Sequence, residues 1–251
     1  MTISFILLLV ANASWAHFGM LIPSDSMIMQ EDSRTLNLTL SFSHPFEMVG
    51  MELAKPKAFN VYTGGKKQDL RGSLNASSVM GLQGWQATFP VKRPGVYVFY
   101  MEPEPYWEPA EDAFIVHHTK TVVTAFGDDQ GWDTEIGLPI EIVPLSRPFG
   151  LYAGNVFQGI VKLNGQPLPF AQVEVEYYNI DRKYTAPTAY MTTQTVKADG
   201  NGVFTYAAAV AGWWGFAALN SADFKLKHNG EEKEVELGAV IWVKFHDWQH
   251  R

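Results

Sequence analysis

Thr35-Leu36-Asn37-Leu38-Thr39-Leu40 alternates polar and apolar residues. Successive side chains on a strand point to opposite faces, so a period of two describes a half-buried antiparallel strand. Similar short runs, rich in β-branched and aromatic residues, recur outward from it between Gly, Pro, Asn and Asp turns. They are Thr35–Phe42, Ala58–Tyr62, Trp85–Phe89, Gly95–Glu102, Phe114–Phe126 and Ile140–Pro144. No stretch sustains a 3.6-residue apolar period. The pattern predicts an all-β chain built of two β-sandwich domains.

Pro144-Leu145-Ser146-Arg147-Pro148-Phe149-Gly150 breaks regular structure and marks the boundary between them. The expected division is 1–16 as a signal peptide, 17–147 as an immunoglobulin-like sandwich, and 148–251 as a second sandwich. In the second part Asn155–Leu163 and Ala171–Tyr177 flank the turn Asn164-Gly165, a strong hairpin signal. Lys197–Tyr206 gives another turn and strand, and Gly238–Phe245 a closing strand. This layout resembles the small domains of the transthyretin and carboxypeptidase-regulatory type, which support or dock rather than catalyse.

The first sixteen residues carry an apolar run, Phe5–Val10, and end on Ser14-Trp15-Ala16, a small-x-small cleavage pattern. About 10 apolar residues fall short of the roughly 20 needed to span a bilayer, so export rather than anchoring is expected. A cut after Ala16 leaves His17 first. An amino-terminal histidine offers an α-amine and an imidazole that can close one chelate ring on a transition metal. A cut after Ala13, also offered by the sequence, would leave His17 fourth and spoil the ring.

The 251 residues carry a formal charge of −7 and no basic cluster, which argues against nucleic acid and anionic membranes as partners. Cysteine is absent. That excludes thiolate metal sites and cysteine nucleophiles, and for an exported chain it favours a bacterial periplasm over a disulfide-rich animal secretome. No G-x-S-x-G elbow or phosphate-binding glycine loop is present, and the chain is not expected to be an enzyme. Asp128–Asp133 lacks the alternation of a calcium loop and reads as a turn.

Seven histidines remain as ligand candidates. His44 sits where the strand Thr35–Phe42 ends, and His117 and His118 are neighbours on Phe114–Phe126, so at most one of that pair shares a face with His44. Three imidazoles on a rigid sandwich suit Ni, Co, Cu or Zn. A lone histidine in a β-protein is more often a hydrogen-bonded structural residue than a ligand, and for His44, before Pro45, a turn role competes equally. His228 reads as a loop residue, and His246 and His250 as parts of a frayed tail. The segment Glu102–Asp112 is acidic, aromatic and proline-rich, and Glu102 and Glu104 are its candidate oxygen ligands. Met20, Met48 and Met51, with Gly212-Trp213-Trp214-Gly215-Phe216, read as packing.

Several of these segments together resemble the periplasmic component associated with bacterial nickel and cobalt uptake systems. They are Ala16–Ser24, Ser43–Glu47, Pro105–Pro109, Phe114–Lys120, Gly131–Asp133 and Gly212–Phe216, and the likeness covers nearly the whole mature chain. The resemblance implies capture of Ni(II) or Co(II) in the periplasm and delivery to an inner-membrane transporter. Carried onto this sequence, it assigns metal binding to His17, His44 and His117, with His118 as alternate and Glu102 or Glu104 completing the shell. A copper carrier or copper oxidase holding Cu(II) in a histidine brace is the alternative. A scaffold in which every histidine is structural is the third reading.

Overall fold

The computed structural model describes residues 16–248. The expected signal peptide, up to residue 15, and His250 therefore lie outside the described residues. The chain is all-β, and its strands form two sandwiches that share one long sheet.

That sheet runs, in hydrogen-bonded order, through Gln194–Lys197, Gln172–Tyr177, Gly212–Ser221, Val235–His246, Ala113–Ala125, Gly95–Glu102, Ala58–Thr63 and Lys66–Asp69. Its centre is the parallel pairing of Ala113–Ala125 with Val235–His246, from Phe114↔Val235 to Thr121↔Trp242. A strand covered on both faces reads as a continuous buried run rather than an alternating one, and residues 115 to 123 are all buried. Ile115 and Val123 point into the first core, Val116 into the second.

The first sandwich is closed by a sheet of Phe18–Pro23, Thr35–His44, Leu82–Pro90 and Asn75–Val79. Thr35 and Asn37 face solvent while Leu36, Leu38 and Leu40 enter the core. Each such leucine contributes about 1.5–3 kcal/mol by leaving water. The second sandwich is closed by Ile140–Pro144, Val156–Leu163, Gln166–Pro167 and Val203–Ala207. Ile140–Pro144 pairs across the expected boundary with Val156–Leu163, so residues 147–148 lie between two strands of one sheet.

The Asn164-Gly165 turn forms, with both residues at positive φ, but its hairpin is short. Pro167 and Pro169 remove backbone donors, the ladder stops at Gln166–Pro167, and the chain crosses to the long sheet for Gln172–Tyr177. At the seam between the sandwiches Phe18 and Met20 pack on Tyr178, Ala217, Val240 and Trp242. The Trp242 indole N–H donates to the Gly19 carbonyl at 2.9 Å. The amino-terminal strand is thus fastened to both halves, one residue after His17.

Candidate functional site

Antiparallel pairing of Phe18 with Ser43 places His17 beside His44, and their ring centroids are 4.8 Å apart. Phe42 stacks on His17 at 5.8 Å and meets His117 edge-on at 5.8 Å. His17, His44 and His117 therefore gather around one phenylalanine. All three are buried.

The room for His117 comes from missing side chains on its paired strand and on a strand of the other sheet. A Cβ on Gly238 would lie 2.3 Å from His117 Cδ2 and 2.6 Å from Nε2, so the ring lies flat against bare backbone. A Cβ on Gly19 would lie 2.2 Å from Thr119 Oγ1 and 3.2 Å from His117 Cβ. His117 Nε2–H donates to Glu236 Oε1 at 3.0 Å, which leaves Nδ1 with the lone pair. That Nδ1 is buried and has no hydrogen-bond partner. A carboxylate fixing one ring nitrogen so that the other stays basic is the usual outer support of a metal-ligating histidine.

His17 is held by a strap, residues 105–112, whose strand Tyr106–Glu108 pairs with Ala113–Ile115. Its Nε2 donates to Glu108 Oε2 at 3.1 Å, and Nδ1 lies 3.9 Å from Glu111 Oε1. The second sandwich clamps this strap. His228 stacks on Trp107 at 3.8 Å with the rings nearly parallel, and Lys233 pairs with Asp112 at 2.9 Å. It also pins the loop after His44: the Phe46 N–H donates to Glu176 at 3.3 Å, and Asn179 donates to the Pro45 and Phe46 carbonyls. His44 Nδ1–H donates to the Ala16 carbonyl at 2.8 Å. The second half supports the geometry of the first.

Burial, then the neighbouring rings of His44 and His117, lowers the His17 pKa to about 4, against the opposing pull of Glu108 and Glu236. The ring is neutral at physiological pH. Burial raises the Glu111 carboxyl, and repulsion from Glu236 and Glu108 adds to it. Glu174 is raised by burial and then by Glu236. Carboxylates are crowded against the neutral His17 ring. Among the described residues, no three His, Asp or Glu side chains are arranged, as they stand, to hold a metal ion.

The other candidates lie elsewhere. His118 points to the opposite face, with a buried, unpartnered Nδ1, and burial followed by His117 and Lys57 lowers its pKa to about 4. Glu104 pairs with Lys57 at 3.6 Å, and Glu102 lies opposite Ala58 at a strand end. The carboxylates at the histidines are Glu108, Glu111 and Glu236 instead. The first two belong to the acidic segment singled out above. Glu236 carries no local signal, because only the parallel pairing of distant strands brings it to His117. His246 Nε2 lies 3.5 Å from the Ser26 hydroxyl. Met20 accepts from the Ser43 hydroxyl at 2.7 Å, Met51 lies in the first core and Trp214 in the second.

Among solved structures the chain is similar to the D0–D1 domain of intimin, at 11% identity over 92% of this chain and 100% of that one, with a TM-score of 0.24. It is similar to the Yersinia pseudotuberculosis adhesin InvE at 12%, over 88% and 58% of the two chains, with a TM-score of 0.22. Fibronectin(III)-like modules of Clostridium thermocellum CbhA match at 8%, over 92% and 100%, again with a TM-score of 0.22. No curated protein matches. The model of one family, described as a domain of unknown function, DUF4198, matches residues 14–222, and the chain belongs to that family.

Proposed function

We propose that this chain is a periplasmic metal-binding protein that captures Ni(II) or Co(II) and hands it to an inner-membrane transporter. The observation that carries the proposal is the gathering of His17, His44 and His117 around Phe42, with His117 seated over Gly238 and its Nδ1 left without a partner. Imidazole nitrogens suit both ions. The neutral His17 ring need lose no proton to bind, and nearby carboxylates offset the charge of the cation.

The uncut Ala16–His17 bond fills part of the site. The Ala16 carbonyl that faces His44 is bonded to the His17 nitrogen, so cleavage there would expose the α-amine beside His44. His17 would then bind through its amine and Nδ1, with His44 and His117 adding nitrogens and Glu108 steadying the ring from Nε2. Titration calorimetry with Ni(II) tests this on protein beginning at His17. One ion per chain is expected, with His17→Ala and His117→Ala each weakening binding at least tenfold, about 1.4 kcal/mol. Unchanged affinity in both variants would refute it.

A further inference from the structure

Resting on that reading, we infer that the cleft bounded by Glu111 and Glu236 is the entrance through which a hydrated divalent cation reaches the buried histidines. The cleft measures about 500 Å³, and its walls include Glu111, Glu234, Glu236, Gln172, Asn220 and Ser221. Two of those carboxylates also touch the ring cluster: Glu236 at 3.0 Å from His117 and Glu111 at 3.9 Å from His17.

Exposure rises along this line. The side chains of His117 and His17 are 1% and 8% exposed, whereas those of Glu236 and Glu111 are 28% and 38% exposed. Cleft and rings thus meet across these carboxylates. The independent sign of a ligand is at the inner end, where His117 Nδ1 is fully buried with no hydrogen-bond partner. Oxygen groups suit a cation that still carries its water, and nitrogen groups suit it once water is shed. An acidic mouth also raises the local cation concentration and the capture rate.

Ser221 lies directly opposite Glu236 on the adjacent strand and is exposed, so a large side chain there would stand in the mouth without entering a core. Stopped-flow mixing of Ni(II) with protein beginning at His17 reads the association rate. Ser221→Trp is expected to slow association and dissociation together, each at least fivefold, and so to leave the affinity nearly unchanged. Glu234→Lys, a charge reversal at the exposed rim that also takes the carboxylate from Lys225, is expected to slow association at least fivefold at low ionic strength. Association within twofold of the parent in both variants, with Ni(II) still bound, would overturn the entrance alone. Failure of the parent to bind Ni(II) would overturn the metal-binding reading and the entrance with it.

Discussion

Gly238→Ala tests whether the histidine cluster is a built feature of the sheet. The added Cβ would sit 2.3 Å from His117 Cδ2 and 2.6 Å from Nε2, where ordinary contact begins near 3.4 Å. The ring would have to retreat by about 1 Å, and Phe42 and the strand bearing Gly19 stand behind it. Overpacking of this kind costs about 1–3 kcal/mol. Alanine in place of glycine otherwise stabilises a compatible strand by about 0.4–1 kcal/mol, through the unfolded chain. In a His117→Ala background the obstacle is gone, so Gly238→Ala should become neutral or stabilising. The two substitutions should therefore couple by about 1–3 kcal/mol. Urea denaturation of the four chains, free of metal and followed by circular dichroism and tryptophan fluorescence, measures the cycle. Effects that add within about 0.5 kcal/mol would show that His117 does not depend on the bare backbone at Gly238.

Buried Glu141 accepts from buried Lys120 at 2.5 Å and from the N–H groups of Ile136, Gly137 and Leu138. Glu141→Ala should cost about 3–5 kcal/mol by stranding the Lys120 charge; a urea midpoint unmoved from the parent would contradict this. Burial holds the Glu176 carboxyl well above its usual range, so the folded chain binds that proton more tightly than the unfolded chain. The stability from this group is complete below about 4.5 and is lost as pH rises above it, and Glu176→Gln should flatten that decline in urea midpoints taken between pH 4.5 and 8. A slope identical to the parent's would contradict the assignment. Trp107→Ala removes the stack with His228, and should cost about 0.5–1.5 kcal/mol in urea and weaken Ni(II) binding about tenfold by loosening the Glu108 strap. Equal affinity in calorimetry would separate the clamp from the site.

The strand Thr35–His44 was legible because its period is local, whereas Phe18–Pro23, which positions His17, was not read from the sequence. Leu36, Leu38 and Leu40 face inward as their spacing requires. Val235–His246 contains the expected closing strand and begins three residues earlier. His117 and His118 are neighbours on one strand, and His117 is the one that joins His17 and His44 around Phe42. Choosing between them needed the neighbouring strands, since Gly19 and Gly238 make space on one face alone. Glu236 was invisible in the sequence, because its pairing with His117 spans 119 positions and depends on a parallel contact between the two halves. In the acidic segment, prolines at 103, 105 and 109 hide which carboxylates turn inward. The fold sends Glu104 to Lys57 and Glu108 to His17.

Anomalous diffraction at the nickel absorption edge, from crystals of Ni(II)-loaded protein beginning at His17, addresses the central claim most directly. One strong peak is predicted within bonding distance of nitrogens from His17, His44 and His117. A peak at His246, at the His118 face or on surface carboxylates, with nothing among those three rings, would contradict it.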